Sequence, residues 1–316
     1  MGIKEKLGST KRFTSAADDL KAIAKLGRLK LLAGGIVATS FGATLAWYET
    51  RKFNLDILIV GMSIAILTNL MVQYQNEYWD VESDRLSTQR IFSGGSGVLA
   101  KGLLPRKVAS IISMTSLLLA VIVTLLLSYT QGEEPYVLPI FLLAAFLSWA
   151  YSSPPLRLLS TGFGEVSVGF ILGFLTPLFQ YYLQTGTVGC ILLFCLSLSF
   201  FAMSISLSFS YPDYCVDRRS GKRTLLVRLG WQRTSRLHIL LIMAGYASLG
   251  TVELTDAPAS AIYLPFLTVP VAMAMASILL KPDPNEEQLV RNSIYAVLLP
   301  FLIVVLQILC LLFSKW

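Results

Sequence analysis

Residues 55–84 read LDILIVGMSIAILTNLMVQYQNEYWDVESD: an apolar run over 55–75, charged only at Asp56, followed by a burst of acid from Asn76 onward. Wound as a helix, such a run covers the roughly 30 Å of a bilayer's hydrocarbon core. Lipid offers no partner to irregular backbone, so the run is a transmembrane helix. The abrupt change at Asn76 marks a membrane boundary that carries chemistry.

The same apolar pattern recurs along the chain at 29–48, 108–129, 136–152, 164–185, 188–210, 237–255, 259–280 and 294–313. With 54% hydrophobic residues, 14% charged and 316 residues in all, the chain is too apolar for a soluble domain, in which about a quarter of residues are charged. The expected fold is all-α and polytopic, with nine transmembrane helices in one bundle over 29–316 and a polar pocket facing the cytoplasm. Of the 26 Lys and Arg, all but Arg51, Lys52 and Lys315 fall on one side of these spans. The positive-inside rule puts that side and the N-terminus in the cytoplasm, and nine crossings put the C-terminus opposite. The net charge of +7 is thereby a topology signal in short loops and gives no support to nucleic-acid binding.

Residues 1–28 lack the pattern of a secretory signal. Phe13, Ala16, Ala17, Leu20, Ile23, Ala24 and Gly27 recur at helical spacing among lysines, which predicts an amphipathic helix on the cytoplasmic surface. Cys190, Cys195, Cys215 and Cys310 show no CxxC spacing and read as packing residues. The single histidine, His238, excludes HExxH and multi-histidine sites and reads as structural.

Two loops, about 76–107 and 211–236, follow the second and sixth spans and carry the acidic groups. Their likeness predicts a repeated four-helix unit, the alternative being two similar loops by chance. In the first, Asn76, Asp80 and Asp84 stand four apart, so successive oxygens drift only about 40° around a helix and rise about 6 Å. In the second, YPDYCVD places Asp213 and Asp217 at the same spacing. One DxxxD alone reads as a solvated helix end. Two of them after even-numbered spans read as a site, because carboxylates gathered at a membrane boundary need a positive counterpart. All-oxygen ligands favour magnesium or calcium over zinc, copper or iron, and a diphosphate would supply further oxygens.

Basic and glycine-rich elements suited to phosphate lie nearby: Arg85, Arg90, FSGGSGVLAKG over 92–102 with Lys101, and Arg218, Arg219, Lys222 and Arg223. YSSPPLRL, 151–158, ends the fourth span with Tyr151 and Arg157. Tyr151 reads equally as an aromatic-belt residue.

The ordered pair of motifs, NxxxDxxxD after the second span and DxxxD after the sixth, resembles the UbiA superfamily of intramembrane prenyltransferases from about Leu29 onward. FSGGSGVL and DRRSGKRTLLVRLG are most similar to its 1,4-dihydroxy-2-naphthoate branch, which makes menaquinone precursors. The resemblance implies transfer of a prenyl group from a prenyl diphosphate to an aromatic small-molecule acceptor within membrane lipid, in a prokaryotic cell membrane. It implies Mg2+ held by Asn76, Asp80, Asp84, Asp213 and Asp217, with the aspartates as the catalytic set. It implies that Lys222, Arg223 and Arg157 neutralise the diphosphate, with Arg28 facing the site; with Arg90, Lys101, Tyr151 and Asn76 they make up the expected substrate-binding set. Many relatives have a glutamate between the paired aspartates of the second motif where this chain has Cys215. Hydroxybenzoate, homogentisate, chlorophyllide and a lipid alcohol are the alternative acceptors. A secondary transporter is the alternative of another class, although its carboxylates would sit nearer the bilayer midplane. The oligomeric state is left open.

Overall fold

The computed structural model describes residues 16–87, 94–130 and 135–314. They form α1 (Ala16–Leu26), α2 (Leu32–Thr50), α3 (Leu55–Leu86), α4 (Arg106–Thr130), α5 (Val137–Ser152), α6 (Gly164–Thr185), α7 (Ile191–Ser210), α8 (Tyr214–Ser220), α9 (Leu225–Leu229), α10 (Trp231–Leu249), α11 (Ala259–Leu279) and α12 (Glu286–Phe313). No strand occurs among the described residues. Among the described residues, eight helical stretches are long and apolar enough to cross a bilayer. The fourth expected span is the shorter apolar helix α5, whose 16 residues cover only about 24 Å. Large apolar side chains such as Leu118, Leu125, Leu240, Met243, Leu267 and Met273 point outward from these helices. With the apolar spans, that surface makes the chain an integral multi-pass membrane protein.

Local chemistry sets the helix ends. The Asn54 side chain accepts from the Ile57 amide at 3.2 Å to open α3, and Asn285 and Gln288 form a reciprocal capping box at the start of α12. Within α6, residues Gly169–Leu175 wind as a π-helix, beside which Gly169 and Gly173 lie against α7. Aromatic and aliphatic side chains, among them Phe41, Leu45, Phe194 and Leu198, fill the seam of α2, α6 and α7.

A tight helix contact fixes a sharp test. A Cβ on Gly42 of α2 would overlap the Pro177 carbonyl oxygen of α6. Gly42→Ala is therefore expected to destabilise the bundle by about 1–3 kcal/mol or more, as overpacking of a dense interior does. Thermal unfolding in detergent checks this.

The N-terminal segment forms the expected helix from Ala16, but its buried side differs from the one read in the sequence. Of the stripe read there, Ala17, Leu20 and Ala24 are exposed and Gly27 is buried, whereas Ala22 and Leu26, outside that stripe, are buried. The reason is tertiary: α1 docks on α3 and α4, where Ala22 and Leu26 join Tyr74, Val81 and Ala109, and the Tyr74 hydroxyl donates to the Ile23 carbonyl at 2.9 Å. Phe13 lies outside the described residues. His238 is buried in the core, its Nε2 2.7 Å from the Ser204 hydroxyl and its ring stacked on Tyr211.

Candidate active site

α3 is 32 residues long, about 48 Å, so it overshoots the hydrocarbon by several turns. Those turns carry Asn76, Asp80 and Asp84 on one face. Opposite them, α7 ends at Ser210, and the chain passes through Asp213 into the short helix α8, which carries Asp217. Gly221, at φ 78°, stops α8 in a left-handed turn that a side chain would strain. That turn leads Lys222 back toward the acids. Its Nζ lies 3.0 Å from Asp80 Oδ1, and its amide donates to the Asp217 carbonyl at 3.0 Å.

The glycine-rich loop closes the third side. The Gly94 amide donates to Asp213 Oδ2 at 3.0 Å and the Ser87 hydroxyl to Asp213 Oδ1 at 3.1 Å. Glu77, 3% exposed, accepts from the Ser96 hydroxyl at 2.8 Å and from the Ser96 amide. Gly95, at φ +64°, is wedged against Asp84 and Glu77. Together these groups form the polar end of a cavity of about 360 Å³ whose deeper wall is apolar, with Ile64, Phe141, Leu172, Leu175 and Phe179. From Asp80 to Ile64 is sixteen residues along α3, about 24 Å.

The electrostatics of the acids are strongly perturbed. Burial pushes the Asp217 carboxyl up to about 7, with Lys222 opposing the shift and Asp213 and Asp80 adding to it. Burial by itself would lower Lys222, but the charges of Asp80 and Asp217 outweigh it and hold the lysine above its ordinary value. An aspartate raised on folding stabilises the protein fully below its unfolded value near 4, and that contribution is lost as pH rises through about 7. Substrate-free protein is expected to unfold at a lower temperature at pH 8 than at pH 5.5, and added divalent cation should reduce the difference. Paired thermal melts check it.

Arg28, Asn76, Asp80, Asp84, Tyr151, Asp213, Asp217 and Lys222 all line the cavity. Three other expected residues do not. Lys101 is exposed; Arg157 is exposed, with its guanidinium 5.2 Å from the Trp79 ring; and Arg223 is exposed, with its amide donating to the Ser160 carbonyl at 3.0 Å. Basic character alone could not separate these from Lys222, because the turn at Gly221 decides which side chain faces inward. Arg90 lies outside the described residues. Cys215 is exposed, so the departure at that position removes nothing from the cavity wall.

Sequence reasoning missed Glu77, Lys30, Asn69, Gln73, Ser206, Ser210 and Thr224 as site-forming residues. The recurrence of Asn69, Gln73, Asn76 and Asp80 at helical spacing was the available signal for a polar stripe extending below the acids. The Gln73 side-chain amide donates to Asn69 Oδ1 at 3.1 Å along it.

Among the described residues no three His, Cys, Asp or Glu side chains converge on one metal-binding centre. The two acidic motifs instead face each other across the cavity, and Asn76 Oδ1 is buried without a partner. This donor set fits magnesium, which takes one or two carboxylates, keeps water and draws its remaining oxygens from substrate phosphates.

The sequence profile of the UbiA prenyltransferase family matches residues 36–312. Among similar proteins, a 1,4-dihydroxy-2-naphthoate octaprenyltransferase of Escherichia coli is 24% identical over 306 residues, covering 92% of this chain and 94% of its own. Another of that name, from Bacillus subtilis, is 23% identical over 251 residues, 78% of each chain. In fold, a UbiA homolog from Archaeoglobus fulgidus bound to GPP and Mg2+ superposes with a TM-score of 0.67 at 15% identity, over 90% of this chain and 99% of that one. A digeranylgeranylglyceryl phosphate synthase superposes with a TM-score of 0.66 at 16% identity, over 93% and 99%.

Proposed function

Since the chain belongs to the UbiA prenyltransferase family and is a prenyltransferase, we propose that it moves a prenyl group from a prenyl diphosphate to an aromatic acceptor in a magnesium-dependent reaction. The acceptor proposed is 1,4-dihydroxy-2-naphthoate, on the strength of the relatives that carry that name. The observation that carries this reading is the meeting of both acidic motifs at the polar end of a long apolar cavity.

Asn76, Asp80 and Asp84 from α3, and Asp213 and Asp217 from the α7–α8 end, would hold Mg2+ against the diphosphate. The ion supplies electrostatic stabilisation of the leaving group as the allylic C–O bond opens. Lys222 is already placed among the acids by Asp80, and a bound diphosphate would share its charge, with Arg28 beside it. The apolar wall below takes the prenyl chain and excludes the water that would quench an allylic cation. Tyr151 borders the region where the acceptor ring must approach.

The topology follows from the same frame. We read α5 as a ninth crossing despite its length: Phe141, near its start, packs beside Phe179, and Ser153, which caps its end, is hydrogen-bonded to Gln75, next to Asn76 of the first motif. The acids then face the cytoplasm with the N-terminus, and the C-terminus lies opposite.

Purified protein in lipid, given magnesium, a series of prenyl diphosphates and each of the acceptors named above, tests the proposal by mass spectrometry of products. A prenylated naphthoate that disappears with EDTA supports it. A product with another acceptor would keep the reaction and replace the substrate, and a folded protein that binds no prenyl diphosphate would overturn it.

A further inference from the structure

Below the acids, the wall of the cavity is interrupted by polar side chains that the reaction outlined above does not use. Gln73 of α3 is 8% exposed and Ser148 of α5 is 1% exposed, and both belong to that wall. Gln73 Oε1 and Ser148 Oγ are buried with no hydrogen-bond partner among the described residues. Buried polar side chains are as a rule paired, so two orphans beside one cavity point to an occupant. Gln180, orphaned between α3 and α6, has no part in this wall. What sets Gln73 and Ser148 apart is the space beside them.

The two come from different helices but stand at one depth. α5 runs alongside α3 in the same direction, because Phe141 shares a core with Ile64 and the Gln75 side-chain amide donates to the Ser153 hydroxyl. Ser148, five residues before Ser153, therefore stands level with residue 70 of α3, between Asn69 and Gln73. Gln73 lies about 10 Å and Asn69 about 16 Å below Asp80 along the helix. Gln73 Nε2 donates to Asn69 Oδ1 at 3.1 Å, which leaves Gln73 Oε1 to accept and Asn69 Nδ2 to donate. Turning both amides over exchanges the atoms and leaves the same pair of functions. Asn69 Nδ2 lies toward α2, 3.4 Å from where a Cβ on Gly35 would stand, and Gly34 and Gly35 of the cavity wall carry no side chain to fill the space.

A prenyl tail is hydrocarbon and pairs with none of these groups, so polar wall at this depth serves another occupant. Resting on the prenyltransferase reading, we propose that Gln73, Asn69 and Ser148 form a subsite that selects the acceptor by binding a second ring hydroxyl, away from the carbon that is prenylated. A hydroxyl both donates and accepts, which matches the one acceptor and one donor that the amide pair leaves over. The ring lies flat against the backbone at Gly34 and Gly35, with its reacting carbon toward the diphosphate end. These residues determine specificity, and no bond is made or broken on them.

The test uses the full chain in lipid with prenyl diphosphate saturating. It compares kcat/KM for 1,4-dihydroxy-2-naphthoate with that for 1-hydroxy-2-naphthoate, which lacks the second hydroxyl. Wild-type protein is expected to favour the dihydroxy ring by at least about 10²-fold, since a site built to bond a hydroxyl rejects the analogue without it. The rings also differ in intrinsic reactivity, and that difference cancels when a variant's ratio is divided by the wild-type one. Gln73→Met, close in shape and without hydrogen-bonding amide atoms, is expected to lower the ratio by about 10–100-fold, while KM for prenyl diphosphate stays within about threefold of wild type. Asn69→Leu carries the same expectation if the methionine variant does not fold. A fall of less than about tenfold overturns the proposal, and it is the result if the amides only hold a buried water. Equal losses toward both rings overturn it too, as does a wild-type acceptor with no second ring hydroxyl, which leaves the prenyltransferase reading intact. If another dihydroxylated ring is the wild-type acceptor, the same comparison is made with its monohydroxy analogue. Wild-type protein that binds no prenyl diphosphate would instead sink the reading on which the subsite rests.

Discussion

Asp80→Ala and Asp213→Ala are each expected to reduce prenylated product by at least about 10³-fold, matching the effect of EDTA on the wild-type protein. The size follows from what the two carboxylates face. An allylic C–O bond opens only as fast as the negative charge gathering on the diphosphate is stabilised, and preorganised charge in a water-poor site is the largest catalytic term available, with single-donor deletions costing about 10²–10³. Here each substitution also removes a carboxylate proposed to hold the metal. Asp80 is also the partner of Lys222 at 3.0 Å, and Asp213 is the anchor of Ser87 and Gly94. Loss of Asp80 frees the lysine, whereas loss of Asp213 unfastens the glycine loop. The two variants should therefore differ under limited proteolysis, with only Asp213→Ala cut faster near residue 94. Mass spectrometry of products with both readouts decides it. Activity within tenfold of wild type in either variant would refute the arrangement.

Gly95→Ala should have the second largest effect although it deletes no chemical group. A methyl at this position would overlap Asp84 Oδ2 and stand 3.2 Å from Glu77 Oε1, on a backbone at φ +64° that costs a side chain about 1–2 kcal/mol. Both neighbours are buried carboxylates, so neither swings into solvent to make room. Either Asp84 shifts or the loop lifts, and a displacement near 1 Å at a reacting centre costs about 10²-fold in rate. We expect kcat/KM for prenyl diphosphate to fall by about that factor with the helical content unchanged by circular dichroism. Gly94→Ala, beside it, provides a comparison, because its amide reaches Asp213 rather than Asp84.

The comparison of Lys222 with Arg223 shows where sequence reasoning stops. Both are basic, adjacent and follow Asp217, and a resemblance to a family assigns both to substrate. The left-handed Gly221 turns one inward and leaves the other exposed. The same holds for α1, whose apolar stripe is legible but whose buried side is selected by α3 and α4. It holds also for Glu165, which in the sequence is a charge near the end of a span and in the fold is buried without a partner.

What the sequence by itself determined is the membrane, the helices and the identity of the acids. Lipid tolerates only helical apolar spans, charge asymmetry signals their orientation, and four-residue spacing puts Asn76, Asp80 and Asp84 on one face whatever surrounds them. These are local properties, carried by consecutive residues. Only the tertiary structure decided that Asp213 clamps a glycine loop, that Lys222 enters the cluster while Arg157, Arg223 and Lys101 stay outside the cavity wall, and that Glu77 and Glu165 are both buried. Each of those depends on residues tens to more than a hundred positions apart meeting across packed helices, and the direction a side chain takes there is set by its neighbours' volume and turns rather than by its own chemistry.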